Sequence, residues 1–354
     1  MGMLIISHTV NAQTALEKNG SLSVSSDGRI VNEAGNSFVI KGVSTHGIAW
    51  FPQYINKKAF KTLRNKWGAN TVRLAMYTAE YGGFCTGGDQ NELLSLIDKG
   101  VEYTTELGMY VIIDWHILSD GNPLTYKSQS KSFFKKVAKK YADHENVIYE
   151  ICNEPNGWDG SWKNIKKYAN AVIKQIRAED DDAIVIVGTP TWAQDVDQAA
   201  ADPITGFKNI AYAFHFYAAT HKDDMRSKLK SALDAGLPVV VSEFGISEAS
   251  GNGSVDKKEG NRWMKLLDDY GVGRVCWNLS NKDETSALIK SSCQKTGGWR
   301  KSELTASGRW IVKKYKELKL PTYTKKGNHT VILRAQARRI FKEQRLEDSS
   351  LRSE

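Results

Sequence analysis

The sequence predicts an α/β fold, a (β/α)8 TIM barrel, on three observations. Apolar segments of strand length alternate with longer segments that have helical periodicity. The strand segments are continuously apolar, which is typical of parallel strands covered by helices. Polar and aromatic residues follow the strands, and active sites of this barrel lie at that end. The predicted strands are residues 38–43, 71–75, 110–115, 147–152, 183–187, 210–216, 238–241 and 274–277.

The helical patterns lie between these strands, as a parallel sheet requires. They fall near residues 57–67, 90–107, 129–143, 162–179, 222–235 and 257–270, with a last one near 302–318. An open doubly wound sheet is the alternative fold, but no glycine-rich phosphate turn follows the first strand. Residues 21–40 alternate apolar and polar side chains around two turn sequences, which predicts a β-hairpin that caps the bottom of the barrel.

Three parts of the chain differ in composition. Residues 1–19 form an N-terminal extension in which Val10-Asn11-Ala12 resembles the end of a signal peptide. A truncated or engineered signal would make the natural protein secreted, and plain disorder is the alternative. Residues 20–320 form the barrel. Residues 321–354 form a tail with eight Lys or Arg against four acidic residues, which we expect to be disordered or a non-native extension.

Composition and charge exclude several classes of protein. The 354-residue chain is 41% hydrophobic and 25% charged, as is ordinary for a globular protein. No apolar run reaches the roughly 18 residues that span a bilayer. The net charge of +9 is unevenly spread, and no basic stretch is interleaved with aromatic residues. We therefore expect neither a membrane nor a nucleic-acid partner, and a monomer is the default state.

Four cysteines are too few for a disulfide framework and do not form a CxxC metal pair. Cys152 and Cys276 lie in apolar strands and are predicted to be small core residues. Cys85 and Cys293 lie in loops, where a bridge between them is left open.

Two of the predicted strands end on a glutamate. The run from Val147 stops at Glu154, immediately before Pro155, and the run from Leu237 closes on Glu243. Glycoside hydrolysis needs one acid to protonate the leaving oxygen and one carboxylate to attack or to activate water. The two strand ends therefore predict a glycosidase, with a salt-bridged structural role as the alternative for either glutamate.

The segment Ile151-Cys-Asn-Glu-Pro-Asn-Gly157 resembles the Asn-Glu-Pro signature of the cellulases of glycoside hydrolase family 5. Four further stretches match in order: His116-Ile-Leu-Ser-Asp-Gly-Asn-Pro123, His215-Phe-Tyr217, Ser242-Glu-Phe-Gly245 and Trp277-Asn-Leu-Ser-Asn-Lys-Asp-Glu-Thr-Ser286. The similarity covers roughly residues 20 to 318. It implies an endo-acting β-1,4-glucanase that needs no cofactor and binds β-1,4-glucan and cello-oligosaccharides. Glu154 would be the acid/base and Glu243 the nucleophile of a retaining mechanism.

The same resemblance implies catalytic support from residues near the two glutamates. Arg73 and Tyr217 would contact Glu243, and a guanidinium beside a carboxylate lowers its pKa. Asn153 would hold a sugar 2-hydroxyl, while His116 and His215 would bind sugar or tune the acid/base. Close relatives commonly carry Thr-Glu-Trp-Gly where this chain has Ser242-Glu-Phe-Gly245. The nucleophile stays in place and its aromatic neighbour changes, which we expect to alter packing or the pH profile rather than the reaction.

Sugar rings have flat apolar faces, so a glycan cleft needs exposed aromatic platforms with polar groups at their edges. Aromatic residues at or after strand ends are the candidates, namely Trp50, Tyr77, Trp192 and Trp277. His46 follows the first strand and is a further candidate. Lys282 and Glu284 resemble the polar contacts that the family makes on the non-reducing side of the cut.

Three alternatives are kept open. The same machinery could act on mixed-linkage glucan, mannan or xylan. A carbohydrate-binding protein could keep the cleft without cleaving. His46, His116, His215 and a carboxylate could form a metal site, although neither a His-x-His pair after the first strand nor a His-Glu-x-x-His sequence occurs, so no metal is predicted.

Overall fold

The computed structural model describes residues 13–318, and within them eight parallel strands close into a barrel. Each strand pairs with the next along the chain and the last pairs with the first, which confirms the predicted (β/α)8 fold. Two hairpin strands, β1 (Ser23–Val24) and β2 (Ile30–Val31), come first. The barrel strands follow as β3 (Lys41–Thr45), β4 (Thr71–Tyr77), β5 (Tyr110–His116), β6 (Val147–Glu150), β7 (Val185–Val187), β8 (Ile210–Tyr217), β9 (Val239–Gly245) and β10 (Gly273–Leu279). The predicted signal remnant and basic tail lie largely or wholly outside the described residues.

The longer helices lie outside the barrel because each carries an apolar face toward the strands. In α5, Ile165, Ala169, Val172 and Ile176 recur at helical spacing and are fully buried. Each such isoleucine contributes about 1.5–3 kcal/mol of burial free energy. The helices are α1 (Ala15–Asn19), α2 (Lys57–Thr62, continued by a π-helical turn Leu63–Trp67), α3 (Gln90–Glu106), α4 (Lys127–Tyr141), α5 (Trp162–Arg177), α6 (Pro190–Ala193), α7 (Val196–Ala201), α8 (Asp223–Asp234), α9 (Lys257–Tyr270) and α10 (Ala306–Glu317).

The predicted hairpin consists of the antiparallel strands β1 (Ser23–Val24) and β2 (Ile30–Val31). Its apolar side chains Leu22 and Ile30 belong to the buried cluster inside the lower barrel, where the barrel strands begin. The Tyr110 hydroxyl at the start of β5 donates to the Gly20 carbonyl at 2.6 Å. The hairpin therefore closes the bottom, and the opposite end stays open.

Two local predictions need correction. The first barrel strand is β3 and not residues 38–43, because Phe38 and Ile40 pack into the cluster beneath the barrel before the chain joins the sheet. The sequence predicted no helix between β7 and β8, whereas the short helix α7 lies there, preceded by the four-residue turn α6, which has left-handed φ values inside it. Their shortness explains the failure, since neither covers two full turns with an apolar face.

The four cysteines are free thiols, so the bridge left open between Cys85 and Cys293 is not formed. Cys152 and Cys276 are buried, as predicted. Among residues 13–318, no helix combines the length and apolar character that crossing a bilayer requires.

Candidate active site

The carboxyl ends of the barrel strands surround a cavity of about 560 Å³. Its wall holds both predicted catalytic glutamates and most of the predicted supporting side chains: Glu154, Glu243, His46, Tyr77, His116, Trp192, His215, Tyr217, Trp277, Lys282 and Glu284. Arg73 and Asn153 lie behind this wall and are fully buried. Trp50 stands beside it, in ring contact with His46 and Tyr77. The residues predicted from strand ends thus form one pocket.

Glu154 lies in the loop beyond β6, which ends at Glu150 and not at residue 152 as predicted, and it is held there by contacts on both sides. Its backbone N–H donates to the Ile117 carbonyl at 3.3 Å, and the Asn156 side chain donates to the Glu154 carbonyl at 2.9 Å. Gly188, directly after β7, allows the backbone at Cys152 to approach closely, because a Cβ at position 188 would lie 2.1 Å from the Cys152 carbonyl oxygen. The backbone around the acid is therefore fixed before any ligand arrives.

Glu154 and Glu243 lie close together in the cavity. Glu243 is within β9, and Glu154 follows the end of β6. The two residues bring carboxylate oxygens within 4.8 Å of each other. Retaining glycosidases hold their carboxyl groups about 5–5.5 Å apart, whereas inverting ones need about 6.5–9.5 Å to admit a water. The observed spacing suits direct attack on the sugar.

Arg73 is the centre of a buried network behind the two glutamates. Its Nε donates to Glu150 at 2.7 Å, and Nη1 donates to Glu243 at 3.1 Å. Nη2 donates to Asn153 at 2.5 Å and lies 3.0 Å from Asp114. Burial opposes the charge, but the three carboxylates outweigh it and raise the pKa of Arg73. Its charge is thus fully compensated inside the barrel.

Two donors hold the Glu243 carboxylate. The Tyr217 hydroxyl donates to Oε1 at 2.7 Å, and Arg73 donates to Oε2. Burial and the neighbouring Glu154 raise the pKa of Glu243, while His215 and Arg73 lower it only in part. Arg73 therefore acts in the predicted direction, but burial wins and the pKa of Glu243 stays above the usual value of a glutamate.

Glu154 has a different environment. Burial raises the pKa of Glu154 to about 8, Arg73 opposes that rise, and Asp114 and Glu150 add to it. Its Oε1 lies 2.9 Å from His215 Nδ1. At neutral pH Glu154 is therefore protonated, as a general acid must be.

The Asn153 amide is fully used within the protein. Its Oδ1 accepts from Arg73, and its Nδ2 donates to the Ile117 carbonyl at 3.1 Å and faces His116 Nε2 at 3.3 Å. Because Nδ2 is a donor only, His116 Nε2 is the acceptor, and its Nδ1–H donates to Asp114 at 2.6 Å. A direct contact from Asn153 to a sugar 2-hydroxyl stays a prediction.

The comparisons with known proteins agree with this geometry. The cellulase family, glycosyl hydrolase family 5, matches residues 31–283. The chain belongs to this family. Endoglucanase A of Butyrivibrio fibrisolvens is 46% identical over 307 residues, which cover 86% of this chain and 70% of that protein. The endoglucanase of Clostridium saccharobutylicum is 44% identical over 306 residues, which cover 86% and 67%.

Solved structures give the same answer. The catalytic domain of a Thermobifida fusca endoglucanase in complex with cellotetraose superposes with a TM-score of 0.81 and 36% identity, over 86% of this chain and 100% of that one. Another solved cellulase, Cel5C_n, has a TM-score of 0.84 and 38% identity, over 90% and 98% of the two chains. This family 5 chain is therefore a hydrolase of the cellulase type.

The aromatic residues of this cellulase form a row from the buried wall to the surface. Trp277 lies parallel to His116, with centroids 5.2 Å apart, and is also 5.2 Å from His46. His46 is 5.3 Å from Trp50, which meets Tyr81 edge to face at 5.8 Å. Of the four predicted platforms, Trp50 and Trp192 are exposed, whereas Trp277 and Tyr77 are largely buried in the wall.

Trp192 reaches the cavity through an unusual turn. Thr191, Trp192 and Ala193 all have φ near 55–57°, the left-handed region that non-glycine residues rarely adopt. The turn is held by the Trp192 N–H, which donates to the Pro155 carbonyl at 3.1 Å, and by the Thr191 hydroxyl, which donates to Asp195 at 2.7 Å. Strain of this kind persists only where surrounding contacts fix it, and it clusters at functional sites.

Lys282 and Glu284 form an ion pair of 2.7 Å at the same wall. Burial would raise the pKa of Glu284, but hydrogen bonds from Lys282, Ser286 and Asn278 lower it, so the carboxylate stays ionised. The Lys282 ammonium also lies 5.6 Å above the Trp50 ring. Charged and aromatic groups therefore meet at one position of the cleft, as sugar binding requires.

Glu154, His215 and Glu243 together offer three ligand atoms within 4.8 Å of one another, which raises the question of a metal ion. Both nitrogens of His215 already have protein partners, Glu154 at 2.9 Å and the Ser242 hydroxyl at 2.9 Å. His46 likewise uses Nδ1 to accept the Gly47 N–H. These nitrogens therefore already have hydrogen-bond partners within the protein.

Some residues at the site were not selected from the sequence. Glu150 and Ser242 are fully buried behind the glutamates, and Tyr81 extends the aromatic row. The available signal was a polar residue inside an apolar strand, which predicts burial with a partner but does not identify that partner. His221, also in the cavity wall, accepts the Tyr217 N–H at 2.8 Å.

Proposed function

We propose that this family 5 cellulase is an endo-acting β-1,4-glucanase that cleaves cellulose and related β-glucans with retention of anomeric configuration. The observation that carries the proposal is the pairing of Glu154 and Glu243, whose oxygens lie within 4.8 Å in unlike environments. Glu154 has a pKa of about 8 and is protonated, whereas Glu243 accepts from Tyr217 and Arg73. Two carboxyl groups so arranged have separate roles.

In the first step, a Glu243 oxygen attacks the anomeric carbon and forms an ester bond to the sugar. The bond from that carbon to the glycosidic oxygen breaks, and Glu154 transfers its proton to the departing oxygen. Arg73 and Tyr217 orient the attacking carboxylate from behind. The acid is close enough to act on the same bond that the nucleophile attacks.

In the second step, water attacks the anomeric carbon and the ester bond to Glu243 breaks. Glu154, now ionised, takes the proton from that water, so both glutamates return to their initial states. Two inversions at the anomeric carbon give net retention. Glu243 supplies the nucleophile and Glu154 the acid and base, so the proposed mechanism needs no cofactor.

The shape of the cleft supports binding to the interior of a polymer. Trp50 and Trp192, at 38% and 46% exposure, offer apolar ring surface on the open face of the barrel. The similar Thermobifida fusca domain was solved in complex with cellotetraose. We propose β-1,4-glucan and cello-oligosaccharides as the ligands, with residues 20–320 as the catalytic domain of a secreted monomer.

The stereochemistry of the first products tests this function. We expect proton NMR of cellopentaose mixed with the enzyme to show β-anomers at new reducing ends before mutarotation, with cuts at internal bonds. Retention follows from direct attack by Glu243 across the short carboxylate spacing.

Early α-anomers would contradict the assignment of Glu243 as nucleophile, because water would then attack directly. Side-by-side rates on mixed-linkage glucan, mannan and xylan serve as the substrate control. A mannan preference would mean that the site accepts an axial 2-hydroxyl, and binding without any cleavage would indicate a carbohydrate-binding protein.

The pH dependence of kcat/KM is a second test. Above pH 8, Glu154 loses the proton that the leaving group needs, so we expect the rate to fall about tenfold per pH unit. Toward acid pH, protonation of Glu243 removes the nucleophile, and its raised pKa places this limb above that of an exposed glutamate. Initial rates on a soluble cellulose derivative measure both limbs, and a rate that stays flat well above pH 8 would contradict the role of Glu154.

A further inference from the structure

Ser242, directly before the predicted nucleophile, takes part in a buried chain of hydrogen bonds. Its Oγ donates to Glu150 Oε1 at 2.6 Å and lies 2.9 Å from His215 Nε2. The other oxygen of Glu150 accepts from Arg73 Nε at 2.7 Å. Ser242, Glu150 and Arg73 are all 0% exposed, so bulk water does not replace any of these partners.

The protons along this chain can be counted. A serine hydroxyl has one proton, and that of Ser242 is used in the bond to Glu150, which is salt-bridged to Arg73. The hydroxyl oxygen can therefore only accept from His215, so His215 carries its proton on Nε2. Burial lowers the pKa of His215 to about 4, and the ring is neutral near pH 7.

A neutral imidazole protonated at Nε2 has a bare lone pair on Nδ1. That lone pair faces Glu154 Oε1 at 2.9 Å. A hydrogen bond at this distance requires a proton between the two atoms, and only Glu154 can supply it. The hydrogen bonds of Ser242 thus favour the protonated form of Glu154.

We propose that Ser242 is a positioning residue that fixes the tautomer of His215 and thereby keeps the proton on Glu154. The inference rests on the proposed role of Glu154 as the acid/base. The same tautomer serves the second step. The Nδ1 lone pair of His215 lies beside ionised Glu154 and disfavours its negative charge, which promotes the uptake of a proton from water by Glu154.

Other titratable groups also face this pair and set the background on which Ser242 acts. They are Arg73 and Tyr77 on β4, Asp114 and His116 on β5, Glu150 on β6, Tyr217 on β8 and Glu243 on β9. Among them, Glu150 Oε1 is 3.9 Å from His215 Nε2, too far for a hydrogen bond. Ser242 Oγ is therefore the acceptor of the hydrogen bond that His215 Nε2–H donates.

The first experiment compares the pH profiles of Ser242→Ala and Ser242→Thr with wild type on a soluble cellulose derivative. In Ser242→Ala, His215 is free to move its proton to Nδ1 and donate to ionised Glu154. We expect the midpoint of the alkaline limb to fall by about one pH unit relative to wild type. At a pH above the midpoints of both proteins, the rate of Ser242→Ala should therefore be about tenfold lower than that of wild type. Ser242→Thr keeps a hydroxyl and is expected to keep the wild-type midpoint, and an unshifted midpoint in folded Ser242→Ala would overturn the proposal.

A second measurement reads the tautomer in the wild-type protein and does not depend on the folding of a Ser242 variant. Long-range proton–nitrogen spectra of protein labelled with ¹⁵N-histidine report which ring nitrogen is protonated. We expect Nε2–H for His215 and, as an internal control, Nδ1–H for His116, which donates to Asp114. The His215 signals are assigned by their loss in His215→Gln.

A proton on Nδ1 of His215 would overturn the proposal. This spectrum needs no substrate, so it tests the tautomer of His215 independently of the proposed hydrolytic function. Absence of hydrolysis on every β-glucan would refute the proposed function, while the tautomer spectrum would still show which nitrogen of His215 carries the proton.

Discussion

Glu243→Gln is expected to reduce hydrolysis of cello-oligosaccharides and soluble cellulose derivatives by roughly 10⁴-fold or more. The amide is isosteric with the carboxylate but cannot form the glycosyl ester. It can still accept from Tyr217, so the cleft should keep its shape. Reducing-end assays give the rate, and calorimetric titration with cellotetraose shows whether binding persists.

Glu92→Gln is the matched control, because Glu92 is exposed on α3, away from the cavity. It should leave the rate within error of wild type. Near-full hydrolysis by Glu243→Gln, with the thermal transition unchanged, would refute the nucleophile assignment.

Glu154→Ala is expected to slow cleavage of natural glucans by about 10²–10⁴-fold, the usual contribution of general acid–base catalysis. An aryl cellobioside with a strongly acidic leaving group needs no proton, so its first step should remain fast. Stopped-flow absorbance should then show a burst of released aryl alcohol followed by slow turnover, because no base remains to activate water.

Azide distinguishes this role from a structural one. It attacks without needing a general base, so it should accelerate turnover of the aryl substrate by Glu154→Ala and yield a β-glycosyl azide. Equal losses on natural and activated substrates, with no response to azide, would contradict Glu154 as acid/base.

The sequence was most informative where function depends on the end of a strand. Glu154 follows an apolar run and directly precedes Pro155, and Glu243 lies near the end of another apolar run, two residues before Gly245, so both could be placed at the open face without coordinates. The barrel itself followed from the alternation of apolar strands and amphipathic helices. These signals are local along the chain and need no knowledge of which residues meet in space.

Contacts between distant strands could not be obtained in this way. Glu150 and Ser242 are 92 residues apart, and each appears in the sequence as a single polar residue in an apolar run. The left-handed turn at Thr191–Trp192 also leaves no trace in propensities, because its contacts with Pro155 stabilise it from outside. Both features are tertiary effects that override local preference.

The order of the strands in the closed barrel affects which parts of such an enzyme can change while the spacing of its two glutamates is kept. Glu243 lies within β9 and Glu154 just beyond β6, and β7 and β8 separate these strands in the ring. The gap between the two carboxyl groups therefore depends on the strand-to-strand spacing from β6 to β9 and on the short segment that carries the chain from Glu150 to Glu154. Insertions in the other loops of the open face can change which glycan enters without altering this spacing, on which the anomeric configuration of the product depends.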